Sequence, residues 1–357
     1  MIASTCKQLF AVSSLLQFLL VLGYDNRSIF SSAMSIAGAS TLPTTTECAV
    51  VGVGVLGTSL CKQLLRDPDF KDLKVTGITK SKKRHDDILK EVLGEDDQYS
   101  ERFELRTVDE NIDQDNKKFN HCVFCAPPSG FDDYPSAVKA AIDDLWMGQN
   151  DENNGGAFVF TSSGGIYGSG GDDVDVSPIV TESSPLPSDA TPRIKRLVDA
   201  ETEVLKKKGG SVMRLAGLYL LNRGAHNYWL GDTVESMREE IAGRSDSMVN
   251  LLHYDDAAGS VVAALKKTVK TNESGDNKLD DSEGGEVFLV SDGHPLTRRQ
   301  ICESSLKNKR YSDRKIPNFT GSKEKGDPIG KIYDGSYTNN VLDWKPTYES
   351  FDKFMSS

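Results

Sequence analysis

The sequence predicts an α/β protein built on an open, doubly wound parallel sheet with a smaller C-terminal lobe, and three observations carry that prediction. The first is the stretch Cys48–Leu65, CAVVGVGVLGTSLCKQLL, which reads as strand, glycine turn and helix. The second is the alternation of apolar strands with helical patterns as far as Thr161, which produces a parallel sheet covered by helices on both faces. The third is size. At 357 residues, 38% of them hydrophobic, the chain can hold one large α/β domain or two smaller ones around a substantial core.

Cys48–Val53 is short and almost wholly apolar, as a parallel strand buried on both faces requires, and Leu60, Leu64 and Leu65 recur at helical spacing behind it. Between them Gly52, Gly54 and Gly57 stand at G-x-G-x-x-G spacing. The stretch resembles dinucleotide-binding turns. That resemblance implies a tight bend at Gly52, backbone approach to a pyrophosphate at Gly54, and close helix-to-strand packing at Gly57. Val55 and Leu56 then open a helix whose free N–H groups face the phosphates. The competing reading is a turn that serves packing alone and binds nothing.

Lys74–Thr79 is the second strand, and no acidic residue ends it. A site that prefers NAD usually has Asp or Glu there for the ribose hydroxyls. Thr79, Lys80, Ser81, Lys82, Lys83 and Arg84 would instead suit a 2′-phosphate, which points to NADP with NAD as the alternative. A solvated charge run at a helix start is the simpler account. His85–Leu93 reads as a helix, Arg102–Val108 as the third strand and His121–Ala126 as the fourth, ended by Pro127 and Pro128. A fourth strand that turns out of the sheet there would carry Ala126 and Pro127 past the nicotinamide side of the cofactor. Tyr134–Met147 is a helix, the polar loop GQNDENNGG follows, and Ala157–Thr161 returns as a strand.

The net charge of -11 argues against a nucleic-acid binder, because phosphate contacts need a basic face and none is concentrated here. Six scattered cysteines, Cys6, Cys48, Cys61, Cys122, Cys125 and Cys302, read as reduced thiols, mostly buried. Cys122 and Cys125 are three apart on one apolar strand and so point to opposite faces, which argues against a metal site. Residues 1–47 form a leader apart from the folded protein. Leu9–Leu22 is too short and too polar for a membrane span and resembles a signal-peptide core, and Arg27–Thr46 reads as a transit segment. This suggests an organellar address, plastid or mitochondrion. The alternative is a disordered leader, with Met34 as another start and the cytoplasm as the location.

The run FVFTSSGGIYG, residues 158–168, resembles the fifth strand and following loop of the extended short-chain dehydrogenases, the nucleotide-sugar epimerase and dehydratase group. VTESSPLPS at 180–188, VMRLAGLY at 212–219, VNLLHYDDAAGSVVAAL at 249–265 and GKIYDGSYTNNVLDW at 330–344 continue the likeness in order, nearest to its atypical YeeZ-type branch. The resemblance covers almost all of Cys48–Phe354. It implies a Rossmann lobe over 48–216, integrated with a substrate lobe over 217–357, and a small-molecule substrate; it leaves room for a homodimer. By the same resemblance Ser163 holds a substrate carbonyl or alcohol oxygen, and Thr161 and Ser162 touch the cofactor edge. Polar hydroxyls satisfying backbone at a strand end are the alternative.

The departure from the group is its missing Y-x-x-x-K pair. The helix that should carry it reads TPRIKRLVDAETEVL, with no tyrosine between Tyr167 and Tyr219. The tyrosine position falls near Arg193–Lys195 and the lysine position near Leu197–Asp199. Lys195 or Arg196 could stabilise an oxyanion, and Arg196 is expected at the cofactor ribose or substrate rather than as a proton donor, because a guanidinium stays charged. After the sixth strand, around Met213–Leu215, LLNRGAHNY replaces the group's G-P-G-R turn and makes Arg223, His226 and Asn227 the substrate-side candidates. Asn250, His253 and Asp256 join the lobes, with His253 structural or pocket-lining. Lys266–Gly285 reads as a disordered insertion, Glu286–Ser291 as a strand, and the region up to Trp344 as a cap on the substrate lobe. The function expected is NAD(P)-dependent oxidation, reduction or epimerisation, possibly of a nucleotide sugar, without the usual proton carrier. The alternative is a dinucleotide-binding redox sensor or scaffold that does no chemistry.

Overall fold

The computed structural model describes residues 46–357 apart from 95–96, 114–116, 150–155, 170–174 and 275–283. The leader therefore lies outside the described residues as far as position 45, as does most of the GQNDENNGG loop. The last leader residue, Glu47, already opens the first strand.

Seven strands, β1 (Glu47–Val51), β2 (Lys74–Thr79), β3 (Phe103–Thr107), β4 (His121–Phe124), β5 (Phe158–Ser163), β6 (Gly210–Leu215) and β7 (Glu286–Val290), form one parallel sheet. Their order is β7-β6-β5-β4-β1-β2-β3, and every neighbouring pair runs parallel. The order reverses between β1 and β4, which opens a crevice at the carboxyl ends of those strands. Each strand is short and apolar because both its faces are covered: Val50, Val123, Phe160, Val212 and Leu289 are fully buried.

Five helices cover the sheet: α1 (Val55–Arg66), α2 (His85–Leu93), α3 (Tyr134–Leu145), α4 (Pro192–Leu205) and α5 (Tyr254–Ser274). α1 packs on α2 and α5, whereas α3 packs on α4 across the other face. Local chemistry sets where they begin. The Asp133 side chain accepts the Ser136 N–H ahead of α3, and the Thr191 side chain accepts the Ile194 N–H ahead of α4, each with a proline in the first turn. α1 opens directly from Gly54, so Val55 and Leu56 stand in its first turn.

Lys266–Gly285 is not uniformly irregular as its composition implies. α5 continues to Ser274, and only 275–283 lie outside the described residues. Its end is tied down by charge: Lys266 pairs with Asp67 and Asp69 at 2.8 Å each, and Lys267 pairs with Glu286. No described helix is long and apolar enough to cross a membrane.

A second, smaller core gathers Tyr219, Trp229, Leu230, Ile301, Tyr311 and Phe351 from the chain after Gly217. Short strand pairs stitch that region to the sheet lobe. Gly217–Tyr219 pairs with Leu251–His253, and Ile332–Tyr333 pairs with Ile179–Val180. The cysteines described are free thiols. β4 ends at Phe124, so Cys125 lies past the strand rather than on its opposite face, and its Sγ donates to the Gly52 carbonyl at 3.3 Å. Burial pushes the Cys125 thiol up to about 12.

Candidate functional site

The three glycines of the turn differ in surroundings. Gly52 has φ +95, and a Cβ there would lie 2.4 Å from the Ala126 backbone nitrogen, so only glycine permits the bend against the end of β4. A Cβ on Gly57 would lie 2.4 Å from the Gly52 carbonyl oxygen, so α1 rests directly on the turn. Gly54 differs: its φ is -87, and a Cβ there would meet nothing within 4 Å. Space above that backbone is open. The Thr58 N–H is the first in the helix to find a carbonyl, that of Gly54 at 2.9 Å. The N–H groups of Val55, Leu56 and Gly57 point out of the helix start, and no acidic side chain occupies its first turn. An open backbone, free N–H groups and a positive dipole end suit a diphosphate.

At the end of β2, the Thr79 hydroxyl is engaged with His85 Nε2 at 2.7 Å and the Ser81 carbonyl at 3.1 Å. Lys80, Ser81, Lys82, Lys83 and Arg84 are exposed. Lys82 pairs with Glu110, whose carboxyl that contact and the Thr107 N–H hold down to about 2. Lys80, Lys83 and Arg84 have no ion pair among the described residues.

The loop after β4 carries Ala126 against Gly52, with Pro127 next in line. Arg196, on α4, reaches across to this loop and donates to the carbonyls of Pro128, at 2.9 Å, and Phe131. Its guanidinium stacks 5.6 Å from the Tyr134 ring centroid, and the Tyr134 hydroxyl donates to the Ala126 carbonyl at 2.9 Å. Arg196 thus fixes the shape of the loop. Lys195 is exposed and paired with Asp199 at 3.0 Å.

Successive residues at the end of β5 face opposite ways. Ser162 turns into the protein and donates to Glu201 on α4 at 2.5 Å. Glu201 is also held by Arg214 of β6 at 2.7 Å, and the same guanidinium donates to the Tyr167 hydroxyl at 2.7 Å. This buried ion pair was not foreseen, although an arginine inside the apolar strand VMRL was its signal. Thr161 donates weakly to the Phe124 carbonyl at 3.4 Å. Ser163 Oγ accepts the Gly165 N–H at 3.1 Å and has no acceptor of its own among the described residues.

Ser163 opens into a cavity of about 380 Å³ at the carboxyl ends of β5 and β6. Leu215, Ala216 and Gly217 form one side, and Asn250, Arg298, Lys331 and Tyr333 line others. Among the described residues the lining contains two cationic side chains, Arg298 and Lys331, and no carboxylate. Asn250 braces the far wall, giving its Nδ2 hydrogen to the Lys331 carbonyl and accepting the Tyr333 N–H, both at 2.8 Å. Burial pushes the Lys331 ammonium down to about 8. Of the sequence candidates, only Ser163 lines this cavity. Lys331 and Tyr333 were missed as individuals, although the GKIYDGS element that holds them was noted.

Arg223, His226 and Asn227 lie elsewhere. Arg223 donates to the Tyr254 hydroxyl at 3.0 Å. His226 is buried in the smaller core against the Tyr311 and Phe351 rings, with Nε2 3.0 Å from the Leu221 carbonyl, and burial pushes its imidazole down to about 4. Asn227 accepts the Tyr311 hydroxyl at 2.7 Å. The helix Ala225–Leu230 presents His226 and Asn227 to Tyr311, Arg223 is engaged with Tyr254, and none of the three lines the Ser163 cavity. His253 is likewise packed, its ring 3.7 Å from that of Tyr348.

The fold is similar to that of several solved structures. A dTDP-glucose 4,6-dehydratase from Bacillus anthracis in complex with NAD matches with TM-score 0.60 and 14% identity, over 87% of this chain and 94% of that one. A UDP-glucuronic acid 4-epimerase from Bacillus cereus in complex with UDP-glucuronic acid and NAD matches with TM-score 0.62 and 17% identity, over 87% and 96%. A UDP-glucose 4-epimerase from Thermotoga maritima with UDP-glucose matches with TM-score 0.56 and 17% identity, over the same 87% and 96%. No protein-family model and no curated protein sequence matches the chain. At these identities the likeness is one of fold, a Rossmann-type α/β sheet.

Proposed function

We propose that this chain binds a nicotinamide dinucleotide, NADP in preference to NAD, and oxidises, reduces or epimerises an alcohol or carbonyl carbon of a small molecule of the nucleotide-sugar class. The observation that carries the reading is the glycine turn. Gly52 and Gly57 are closed by contact while Gly54, between them, is open beneath a set of free N–H groups. Packing alone needs the first two glycines and gives no reason for the third. The likeness to sugar enzymes solved with NAD supports a bound nicotinamide dinucleotide and a nucleotide-sugar substrate, while the NADP preference rests on the basic run after β2.

In this reading the Gly52–Gly57 turn and the α1 N-terminus hold the diphosphate, and Lys83 and Arg84 meet a 2′-phosphate. Ala126, Pro127 and Thr161 border the nicotinamide side, and Ser163 directs its free hydroxyl hydrogen to the substrate oxygen. When bound, the cofactor supplies hydride chemistry at the carbon bearing that oxygen. Arg196 acts at one remove, by shaping the loop that carries Ala126 and Pro127.

A second reading, a dinucleotide sensor without catalysis, is favoured by α4, which carries no tyrosine and commits Arg196 to backbone carbonyls. Fluorescence titration with NADPH and NADH, followed by turnover assays on a panel of UDP- and dTDP-sugars, separates the two. Turnover lost in Ser163→Ala supports the enzyme. Binding without turnover across the panel supports the sensor, and no binding at all rejects both.

A further inference from the structure

Lys331 is buried in the wall of the Ser163 cavity at 6% exposure, and the roles assigned so far leave it unused. Its Nζ donates to the Gly168 carbonyl and has no ion pair among the described residues. That leaves two of the three ammonium hydrogens without an acceptor among the described residues. Burying a lysine with no carboxylate beside it among those residues is costly, and burial is how a lysine is tuned for proton transfer.

The short strand Ile332–Tyr333 sets the geometry. Lys331 and Tyr333 are two residues apart, so both point to one side of it, into the cavity. Lys331 Nζ is 6.0 Å from the Tyr333 ring centroid and 5.9 Å from that of Tyr167. Tyr333 lies over Gly164, where a Cβ would come within 2.6 Å of its hydroxyl oxygen. The phenol therefore abuts the backbone immediately after Ser163. Its hydroxyl has no partner among the described residues.

We infer that Lys331 is the proton carrier of this site, in place of the absent α4 tyrosine, with the Tyr333 and Ser163 hydroxyls directing the substrate oxygen to its amine. The inference rests on the proposed function. In the oxidation direction the substrate O–H bond breaks and its proton passes to the free amine of Lys331, forming the ammonium. The hydride from the same carbon goes to an oxidised nicotinamide, and the ammonium returns its proton to water. Reduction reverses each transfer. An amine that burial brings to about 8 exchanges protons readily near neutrality, as an ordinary lysine does not. Among the described residues, the titratable groups beside it are Tyr167 and Tyr333, and Arg298 lines the same cavity; Asp327 acts on Arg298 rather than on the amine.

Competitive acetylation of the full-length protein with trace acetic anhydride, from about pH 6 to about pH 11, reads each amine by peptide mass spectrometry. Lys331 is expected to titrate at about 8, well below the ~10.4 of a lysine in a model peptide. Lys331 titrating at that model-peptide value overturns the inference. In turnover assays Lys331→Met and Lys331→Arg should each lose roughly 10²–10⁴-fold while NADPH binding is unchanged. Retained turnover in Lys331→Arg would show that a fixed charge suffices, and also overturns it. Wild-type protein that binds no NADPH overturns the proposed function and the catalytic role with it, a failure visible apart from the acetylation result.

Discussion

The Gly52 carbonyl oxygen lies 2.4 Å from where a Cβ on Gly57 would stand, so the first helix sits on the turn with no room for a side chain between them. Gly52→Ala and Gly57→Ala should each destabilise the protein by about 3 kcal/mol, through overpacking and, at Gly52, a positive φ. Gly54→Val should cost less than about 1 kcal/mol, because its φ of -87 suits any residue and its Cβ meets nothing. It should nonetheless abolish dinucleotide binding. Urea denaturation and NADPH titration of the three variants check this, and Gly54→Val binding like wild type would contradict it.

Lys83 and Arg84, like Lys80, have no ion pair among the described residues, whereas Lys82 is held by Glu110. Replacing both Lys83 and Arg84 with Ala should lower the preference for NADPH over NADH by about 10- to 100-fold, the worth of one or two charge-assisted hydrogen bonds. Affinity for NADH should change little. Parallel titrations decide the point.

Arg214 and Glu201 are a buried pair, 7% and 2% exposed at their side chains. Glu201→Ala strands the guanidinium and should cost about 3–5 kcal/mol in equilibrium unfolding. Replacing both with apolar residues, as in Glu201→Met with Arg214→Leu, should recover much of that loss. A double variant as unstable as the single one would show that the pair matters for more than charge balance.

Two buried histidines and one buried aspartate give stability opposing pH dependences. Burial lowers His121 and His226 to about 4, so between roughly 6.5 and that value the unfolded chain binds their protons first. Stability is therefore lost as pH falls through this window, by up to about 3 kcal/mol for each histidine. Burial raises Asp292 to about 7, so its contribution is lost as pH rises from roughly 3.9 to that value. Urea midpoints should show His121→Gln flattening the acid limb. Asp292→Asn should gain more over wild type at about pH 8 than at about pH 5.

The sheet was legible because each of its strands declares itself locally. Val50, Val123 and Phe160 sit in apolar runs bounded by glycine, proline or polar loops, and the glycine turn is a conformational demand met within six residues. The continuation of α5 beyond Lys266 was not legible, because its composition is polar and the partners of Lys266 and Lys267, Asp67 and Glu286, are distant in sequence. The cavity was hidden for a related reason. Tyr333 belongs to, and Lys331 directly precedes, a two-residue strand paired with Ile179–Val180, and neither periodicity nor spacing announces a contact across that length of chain. His226 misled because a histidine in a polar loop sequence looks exposed, whereas Tyr311 draws it inside.

β7 enters the sheet from far along the chain, pairing Glu286–Val290 with Ser211–Leu215. The lobe built on the main sheet is thus not a removable module. A fragment ending at Ala216 would expose β6 as a bare apolar edge, open to pairing with other chains. It would also lose Phe288, Leu289 and Val290 from the main core. Domain exchange, truncation and split-protein designs on this scaffold must therefore keep Glu286–Val290 with the main sheet rather than cut between the two lobes.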